Sequence, residues 1–567
     1  MPERPGELTE PVVLDEAEAV SRPDATVVPD RSAVAARPEA LALPDRWQAL
    51  LDRVPPECRV PVGVTVLVSV VLTTAFLFLP LAGTDLAAQV ARGHFFRTYG
   101  ARAVDFRWYG GVYPFGYSAL TGPLNAVLGS RGVGAVSCVV SAAAFAWLLV
   151  RVGARRPTLG GVLAAVVGVF NLVSGRTTFA LGIAFGMLAL CALVAPLAGR
   201  TRLALAGVLA ALSSMGSPVA GVFTGLCGLA LLLSRRVREG LALGIGSGLA
   251  LLPPAVFFRD GGIQPYTEDA MKLAVASCVA AFFLVPARWR VLRVGIVLAA
   301  LAVVAVFYLP SALGSNIVRL PMLYAAPVVV ALSTLDRRWV AFAVALLCWW
   351  QPPLVGEDLG NAGSAAAHRD FYTPLTDQLH ARGPVGRVEV VPLHDHWEAT
   401  YVAEEVPIAR GWLRQVDVDR NSLFYDGTLT SRTYLGWLYS QAISYVALPR
   451  SARLDFSGRE ERALIETDLP YLRKVWESGD WLLYNVVGSP SLVEYPGRLA
   501  SSDPTGVTFD TAESADVLVL VRHSRWLTLE GPDGCWFRDG PWIRVRVSEP
   551  GRYRVSSSLD PRRSGAC

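Results

Sequence analysis

Residues 84–123 read TDLAAQVARGHFFRTYGARAVDFRWYGGVYPFGYSALTGP. They separate the first long apolar run of the chain from the second, which makes them the first loop of a membrane protein. Their composition is unusual for a loop. Asp85 stands alone where the apolar run ends. The next turns read as an amphipathic helix, with Leu86, Val90 and Phe95 apolar and Gln89, Arg92 and Arg97 elsewhere on the cylinder. The loop then becomes an aromatic segment broken by glycine and proline, carrying Trp108, Tyr109, Tyr113, Phe115 and Tyr117.

On either side of this loop, from Pro61 to about Leu354, apolar runs alternate with short polar breaks. Spans are predicted near 61–83, 133–151, 158–174, 177–196, 203–218, 219–233, 239–257, 270–286, 292–310, 320–335 and 339–355. That makes about eleven transmembrane helices, several close to the shortest length that crosses a bilayer. The pair meeting at Ser217-Pro218 reads either as two spans or as one broken, re-entrant element. The bulk numbers agree with a polytopic membrane protein: 567 residues, 52% hydrophobic and only 18% charged, with a mean hydropathy of +0.39. Lysine is confined to Lys272 and Lys474 while arginine is plentiful, a mark of high-GC coding, as in bacteria. With a net charge of +4 and no basic block interleaved with aromatics, no nucleic acid partner is expected.

The arginines predict orientation. Alternate loops carry clusters (Arg151/Arg155, Arg200/Arg202, Arg235/Arg236/Arg238, Arg288/Arg290/Arg293, Arg337/Arg338), and the later intervening loops carry Arg176, Arg259 and Arg319 singly. The clustered side is expected to be cytoplasmic, in a bacterial plasma membrane, with the N-terminus inside. The first loop and everything after the last span then lie outside. The domains expected are a disordered cytoplasmic tail over 1–57, a membrane domain over 58–356 with its first outer loop at 84–131, an extracytoplasmic α/β domain over 357–500, and a β-sandwich-like domain over 501–567. Strands are predicted at 386–392, 443–448 and 481–487, and helices at 431–442 and 458–469. No cleavable signal peptide is read at Met1. Of the eight cysteines, Cys138, Cys191, Cys227, Cys278 and Cys348 lie in apolar runs as small hydrophobes, whereas Cys535 and Cys567 can pair if their region is extracytoplasmic.

Chemistry-bearing residues gather at the outer boundary. Asp85 can be a helix cap, or a general base that takes a proton from an acceptor hydroxyl while a phosphate leaves; the two roles are compatible. Trp108, Tyr109 and Tyr113 suit a bilayer interface and equally suit sugar stacking, with Asp105, Arg107 and His94 beside them as polar candidates. Arg319, in GSNIVRLP (314–321) with Asn316 three residues earlier, can snorkel or hold a lipid phosphate through its planar guanidinium. Arg259 lies in a Gly- and Pro-containing loop (257–269) that reads as a mobile lid. In HDHWEATYVAEE (394–405), His394, His396, Trp397 and Glu398 are candidates for contacting substrate. Two histidines and an acid can also bind metal, but the third ligand is not at a diagnostic spacing. Arg410, Trp412 and Arg414 form a basic aromatic patch that can lean on the membrane surface. Asp417 and Asp419 make an Asp-x-Asp with no phosphate-cradling loop beside it, and a nucleotide reading is rejected. No GxSxG, P-loop, Rossmann or HExxH motif occurs.

Asp85 after the first span, the amphipathic first loop, WYGGVYPFGYSAL (108–120), GSNIVRLP and the outer C-terminal region together resemble the GT-C superfamily of integral membrane glycosyltransferases. Within it the chain is similar to bacterial YfhO-like multispan proteins and, more distantly, to actinobacterial mannosyl- and arabinofuranosyltransferases, over about residues 61–450. The resemblance implies a GT-C-like fold, a polyprenyl-phosphate-linked sugar donor, an outward active site, and transfer with inversion to an envelope glycan, lipid or protein, with Asp85 as base and Arg319 on the phosphate. Many such enzymes pair the first-loop acid with a second; here Leu86 follows Asp85, which weakens the expectation of a divalent cation (Mg or Mn), and no other cofactor is expected. The rival readings are a lipid or polysaccharide transporter of flippase type, which charges at mid-span would favour, and a non-catalytic envelope-assembly scaffold.

Overall fold

The computed structural model describes residues 55–350 and 356–567. Nearly all of the expected tail at 1–57, and the Gln351-Pro352-Pro353 break, lie outside the described residues. Helices stand where the apolar runs predict them: α1 (Pro56–Phe78), then the loop helix α2 (Leu86–Tyr99), α3 (Ser130–Arg151), α4 (Pro157–Val173), α5 (Thr177–Val194), α6 (Gly199–Gly216), α7 (Pro218–Leu233), α8 (Val237–Phe257), α9 (Glu268–Leu284), α10 (Arg290–Tyr308), α11 (Arg319–Leu332) and α12 (Arg337–Trp350). Among the described residues, six helical segments are long and apolar enough to cross a membrane: α1, α3, α5, α8, α10, and α11 with the 3-10 turn before it. The outer faces of the bundle stay apolar, with Leu241, Ile245 and Leu249 of α8 and Val297 and Leu301 of α10 exposed, as a lipid solvent requires. Inside, small residues let backbones approach. A Cβ on Gly182 of α5 would lie 2.6 Å from Ala220 and 2.8 Å from Ser217. The Ser217-Pro218 ambiguity resolves as two helices: Ser217 is extended (φ −154°, ψ 120°) and Pro218 opens α7, the position where a missing N–H costs nothing.

Consecutive helices alternate in direction, so the loops fall into two sets. Arg155 and Arg156, between α3 and α4, donate to the carbonyls of Thr334, Ser333 and Leu335, between α11 and α12. This end carries the arginine clusters. The other end carries the loops at 79–85, 174–176, 217, 258–267 and 309–318, together with the C-terminal region.

That region has two layers of sheet structure. The first is a four-stranded sheet in the order β1 (Arg387–Val390), β2 (Ile443–Pro449), β4 (Trp481–Val486), β3 (Leu472–Glu477); β1 and β2 are parallel and the other pairs antiparallel. Helices α13 (Thr373–His380), α14 (Arg414–Arg420), α15 (Ser431–Ser440) and α16 (Phe456–Ile465) accompany it. Strand β3 has no counterpart in the sequence reading. It is an edge strand whose LRKVWE sequence carries charges outward, which hides its period of two. The chain ends in a sandwich of β5 (Gly497–Asp503), β6 (Gly506–Thr511), β11 (Gly551–Ser557) and β8 (Leu527–Glu530) against β7 (Ala515–Val519), β10 (Trp542–Val547) and β9 (Gly534–Asp539). Cys535 and Cys567 form a disulfide.

The first loop belongs to both of these cores. Leu86, Ala87, Ala88, Ala91, Trp108, Tyr109 and Val112 pack with the α/β layer, while Ala103, Val104 and Phe106 enter the sandwich core. Residue 108 bridges Ile408, which in turn bridges Val388 of β1, so the aromatic segment extends the sheet. The helix α2 is therefore covered on more than its apolar stripe: Gln89 and Arg92 are buried too, because a second protein layer stands where the sequence pattern expects water.

Candidate functional site

The backbone seats Asp85 first. Its N–H donates to the Ser174 carbonyl (3.1 Å) in the turn between α4 and α5. Gly83 and Gly175 make the approach possible: φ is +98° and +77°, and a Cβ on Gly175 would lie 2.2 Å from the Leu86 nitrogen. Thr84 is held from both sides, its N–H donating to Asp358 Oδ1 (3.2 Å) and its carbonyl accepting from Trp412 Nε1 (2.7 Å). Asp85 occupies the cap position of α2, yet its side chain makes no capping hydrogen bond. The carboxylate instead faces two guanidiniums, Arg319 Nη2 at 3.3 Å and Arg176 Nε at 3.6 Å. Helices α5, α7 and α11 all begin beside this point, and their positive dipole ends favour an anion there.

Thr84, Asp85 and Arg319 form one side of a cavity of about 460 Å³, with Arg176 behind the Asp85 carboxylate. Asn316 and Leu313 from the turn before α11, Gln264 from the α8–α9 loop, and Tyr117 complete that side. The C-terminal region supplies the opposite wall with His394, His396, Trp412, Arg414 and Asp455. Arg414 forks onto Asp455 with two 2.9 Å hydrogen bonds and reaches 3.4 Å from His396 Nε2. Burial would raise the Asp455 pKa, but His396 and Arg414 hold the carboxyl well below the usual range. The His394 imidazole bonds Asp395 through Nδ1 (2.5 Å), and that hydrogen bond raises its pKa. His396 has φ +55°, a left-handed backbone on a side-chain-bearing residue.

An apolar groove of about 490 Å³ begins next to the cavity. It runs between α3, α5, α7, α9, α10 and α11, following α11 from Leu320 and Pro321 through Tyr324 and Val328 to Leu332. Twelve residues of helix correspond to roughly 18 Å. Arg236, Arg288 and Arg290 stand at the groove's far end. Arg319 lines the polar cavity, and the next two residues, Leu320 and Pro321, line the groove.

The structure thus brings together Asp85, Arg319, Asn316, His394 and His396 from the predicted set. Glu398 lies directly behind, accepting from His396 (Nδ1···Oε1 3.1 Å), and burial raises its pKa. The others stand apart from the cavity. Asp105 and Arg107 make a buried fork, with Arg107 also donating to the Ala91 carbonyl. Trp108 and Tyr109 are each 1% exposed and donate to the carbonyls of Ala399 and Gly411. Tyr113 donates its N–H to Asp260 and its hydroxyl to Ser524. Trp397 stacks on Tyr401, His94 pairs with Glu404, and Arg259 is exposed. Asp417 of the rejected Asp-x-Asp is buried against Arg410 (2.7 Å).

Four residues of the site escaped the sequence reading. Arg176 carried the same signal as Arg319, a lone arginine in an intervening loop. Trp412 and Arg414 were legible as a basic aromatic patch but were assigned to the membrane surface. Asp455 carried no local signal. Among the described residues, no group of three His, Cys, Asp or Glu side chains is placed to hold a metal ion. The two cavity acids, Asp85 and Asp455, are each engaged by guanidiniums instead, a donor set that does not fit a divalent ion.

No family model matches the chain, and no curated protein matches it. Among solved structures it is similar to the arabinofuranosyltransferase AftD from Mycobacteria, at 18% identity and a TM-score of 0.41, over 80% of this chain and 41% of that one. The chain thus spans about two fifths of AftD. It is also similar to ArnT from Cupriavidus metallidurans bound to undecaprenyl phosphate, at 13% identity and a TM-score of 0.43, over 79% of this chain and 99% of that one.

Proposed function

We propose that the chain is a GT-C-type membrane glycosyltransferase that moves a sugar from a polyprenyl-phosphate donor to a cell-envelope acceptor. The observation that carries this reading is the junction at Arg319. A lipid-linked phosphate needs a cationic seat beside an apolar channel, and Arg319 lines the polar cavity while the next two residues of α11, Leu320 and Pro321, line the groove. The donor phosphate sits against Arg319, near the N-termini of α5, α7 and α11, and its isoprenoid chain lies in the groove. By taking over the guanidinium hydrogen bonds, the phosphate leaves the Asp85 oxygens free to accept a proton. An acceptor hydroxyl in the cavity gives that proton to Asp85 and attacks the anomeric carbon. The bond from that carbon to the phosphate oxygen breaks, the configuration inverts, and the guanidiniums stabilise the leaving phosphate. Trp412 and the Arg414–Asp455 pair hold the acceptor side. The arginine clusters at the opposite ends of the helices support an extracytoplasmic cavity.

The test is complementation of a deletion strain with Asp85→Asn and Arg319→Ala, with envelope glycans profiled by mass spectrometry and membrane levels of the protein measured alongside. Both variants are expected to accumulate normally and to lack the same glycan as the deletion. Unchanged glycans with Asp85→Asn would remove the transferase reading.

A further inference from the structure

A second cavity, of about 260 Å³, lies in the C-terminal region and shares His394 with the first. Its wall is made by hydrogen-bonding side chains (Asn361, Asp395, Ser451, Arg453), with the rings of Phe371, Tyr372 and Trp397 packed into the core beneath them. The polar groups are fixed in advance: Asp395 accepts from Asn361 and is bonded by His394 Nδ1, and Arg453 is steadied by Glu357 (3.1 Å). The chemistry of this wall selects among ligands. Negative Asp395 is balanced by His394, and Arg453 by Glu357, so the site has little net charge to attract a phosphate. Fixed donors and acceptors in an uncharged setting match a sugar, whose hydroxyls need both. The volume lies just below the range typical of drug-sized ligands, which suits one sugar ring rather than a whole oligosaccharide.

We propose that this cavity is a subsite for a non-reacting sugar of an extended glycan acceptor. The inference rests on the transferase reading: a glycan whose terminal hydroxyl lies at Asp85 runs past His394 and seats an inner residue among Asp395, Asn361 and Arg453. The acceptor class is then an oligosaccharide or polysaccharide rather than a lipid headgroup or a single sugar.

The experiment uses the full chain in lipid nanodiscs, washed over an array of bacterial envelope oligosaccharides one to six residues long. Ala365→Trp and Ser451→Trp, on opposite sides of the cavity, block it separately; Ala365 and Ser451 are exposed, so the fold tolerates both, as elution profile and melting temperature verify. The wild type is expected to retain at least one series from the trisaccharide upward and to ignore its monosaccharide. Each blocking variant is expected to bind at least tenfold more weakly. Retention of no oligosaccharide, equal binding of the monosaccharide, or undiminished binding by both blocked variants overturns the proposal. If Asp85→Asn makes normal glycans in cells while oligosaccharides still bind and the blocked variants do not, the transferase reading fails and the subsite stands.

Discussion

Replacing Gly175 by alanine tests whether backbone packing sets the position of Asp85. A methyl group at 175 would lie 2.2 Å from the Leu86 nitrogen and 2.7 Å from its Cα. Opening the nearer contact to 3.4 Å, the lower edge of ordinary van der Waals contact, moves the 84–86 backbone by about 1 Å, a misplacement that typically costs an active site on the order of 100-fold in rate. Alanine at φ +77° also carries about 1–2 kcal/mol of left-handed strain. That strain is separable from the displacement. Gly153 ends α3 with φ +75° and the same backbone hydrogen-bond pattern as Gly175, but with no atom within 4 Å of its added Cβ, so Gly153→Ala carries similar strain and moves nothing. The assay is single-turnover transfer from a radiolabelled polyprenyl-phosphate sugar by purified protein in nanodiscs, with thermal melts of all three proteins. Gly175→Ala is expected to lose on the order of 100-fold in rate, and Gly153→Ala to keep the wild-type rate with a slightly lower melting temperature. If Gly175→Ala turns over within about threefold of Gly153→Ala, well short of that loss, the contact between 83–86 and 173–176 does not position the acid.

Trp412→Phe removes the hydrogen bond to the Thr84 carbonyl while keeping a ring beside Tyr117. Stability should fall by about 0.5–1.5 kcal/mol and transfer by roughly tenfold, measured by melting and turnover together. Gly295 lines the groove, and a Cβ there meets only Ala230 at 3.6 Å. Gly295→Leu should therefore fill the channel, raising KM for long-chain donors while leaving kcat and short-chain donors unchanged. Burial raises the pKa of Asp260 from an ordinary 3.8 to about 7, against the opposing pull of Arg420 and the Tyr113 N–H. Between those values the folded chain holds a proton that the unfolded chain has lost, so this group's contribution to stability falls as pH rises, by up to about 4 kcal/mol. Asp260→Asn should show a smaller fall in melting temperature between pH 5 and pH 8 than the wild type; equal falls would refute the assignment.

The membrane region was legible because apolar runs with polar stops are a strong, local signal. The helices from Pro56 to Trp350 fall within a few residues of the predicted spans. Asp85 and Arg319 were found by the same logic, as charges isolated at the ends of apolar runs. What the sequence could not show was which face of the first loop would meet protein. Trp108 and Tyr109 have the composition of a sugar platform, and only the C-terminal layer, more than 290 positions away (Trp108 donates to Ala399, 291 residues on), turns them into core. The same non-local pairing hid Asp455, whose only neighbours in sequence are ordinary for a helix cap, and it placed Arg414 at the cavity rather than at the lipid surface.

The sharing of the first loop between two distant layers has a consequence in time. Thr84 and the indole that binds its carbonyl are 328 positions apart. At roughly 5–20 residues per second of synthesis, the carbonyl waits on the order of tens of seconds for its partner. Phe106 waits longer, since the sandwich that buries it closes with Gly551–Ser557. During that interval the newborn chain presents the acid and its two guanidiniums without the wall that completes their cavity, and it offers unsatisfied apolar side chains outside the bilayer. The cavity therefore closes only once Trp412, Arg414 and Asp455 have been made, and a chain stalled before them is left without that wall.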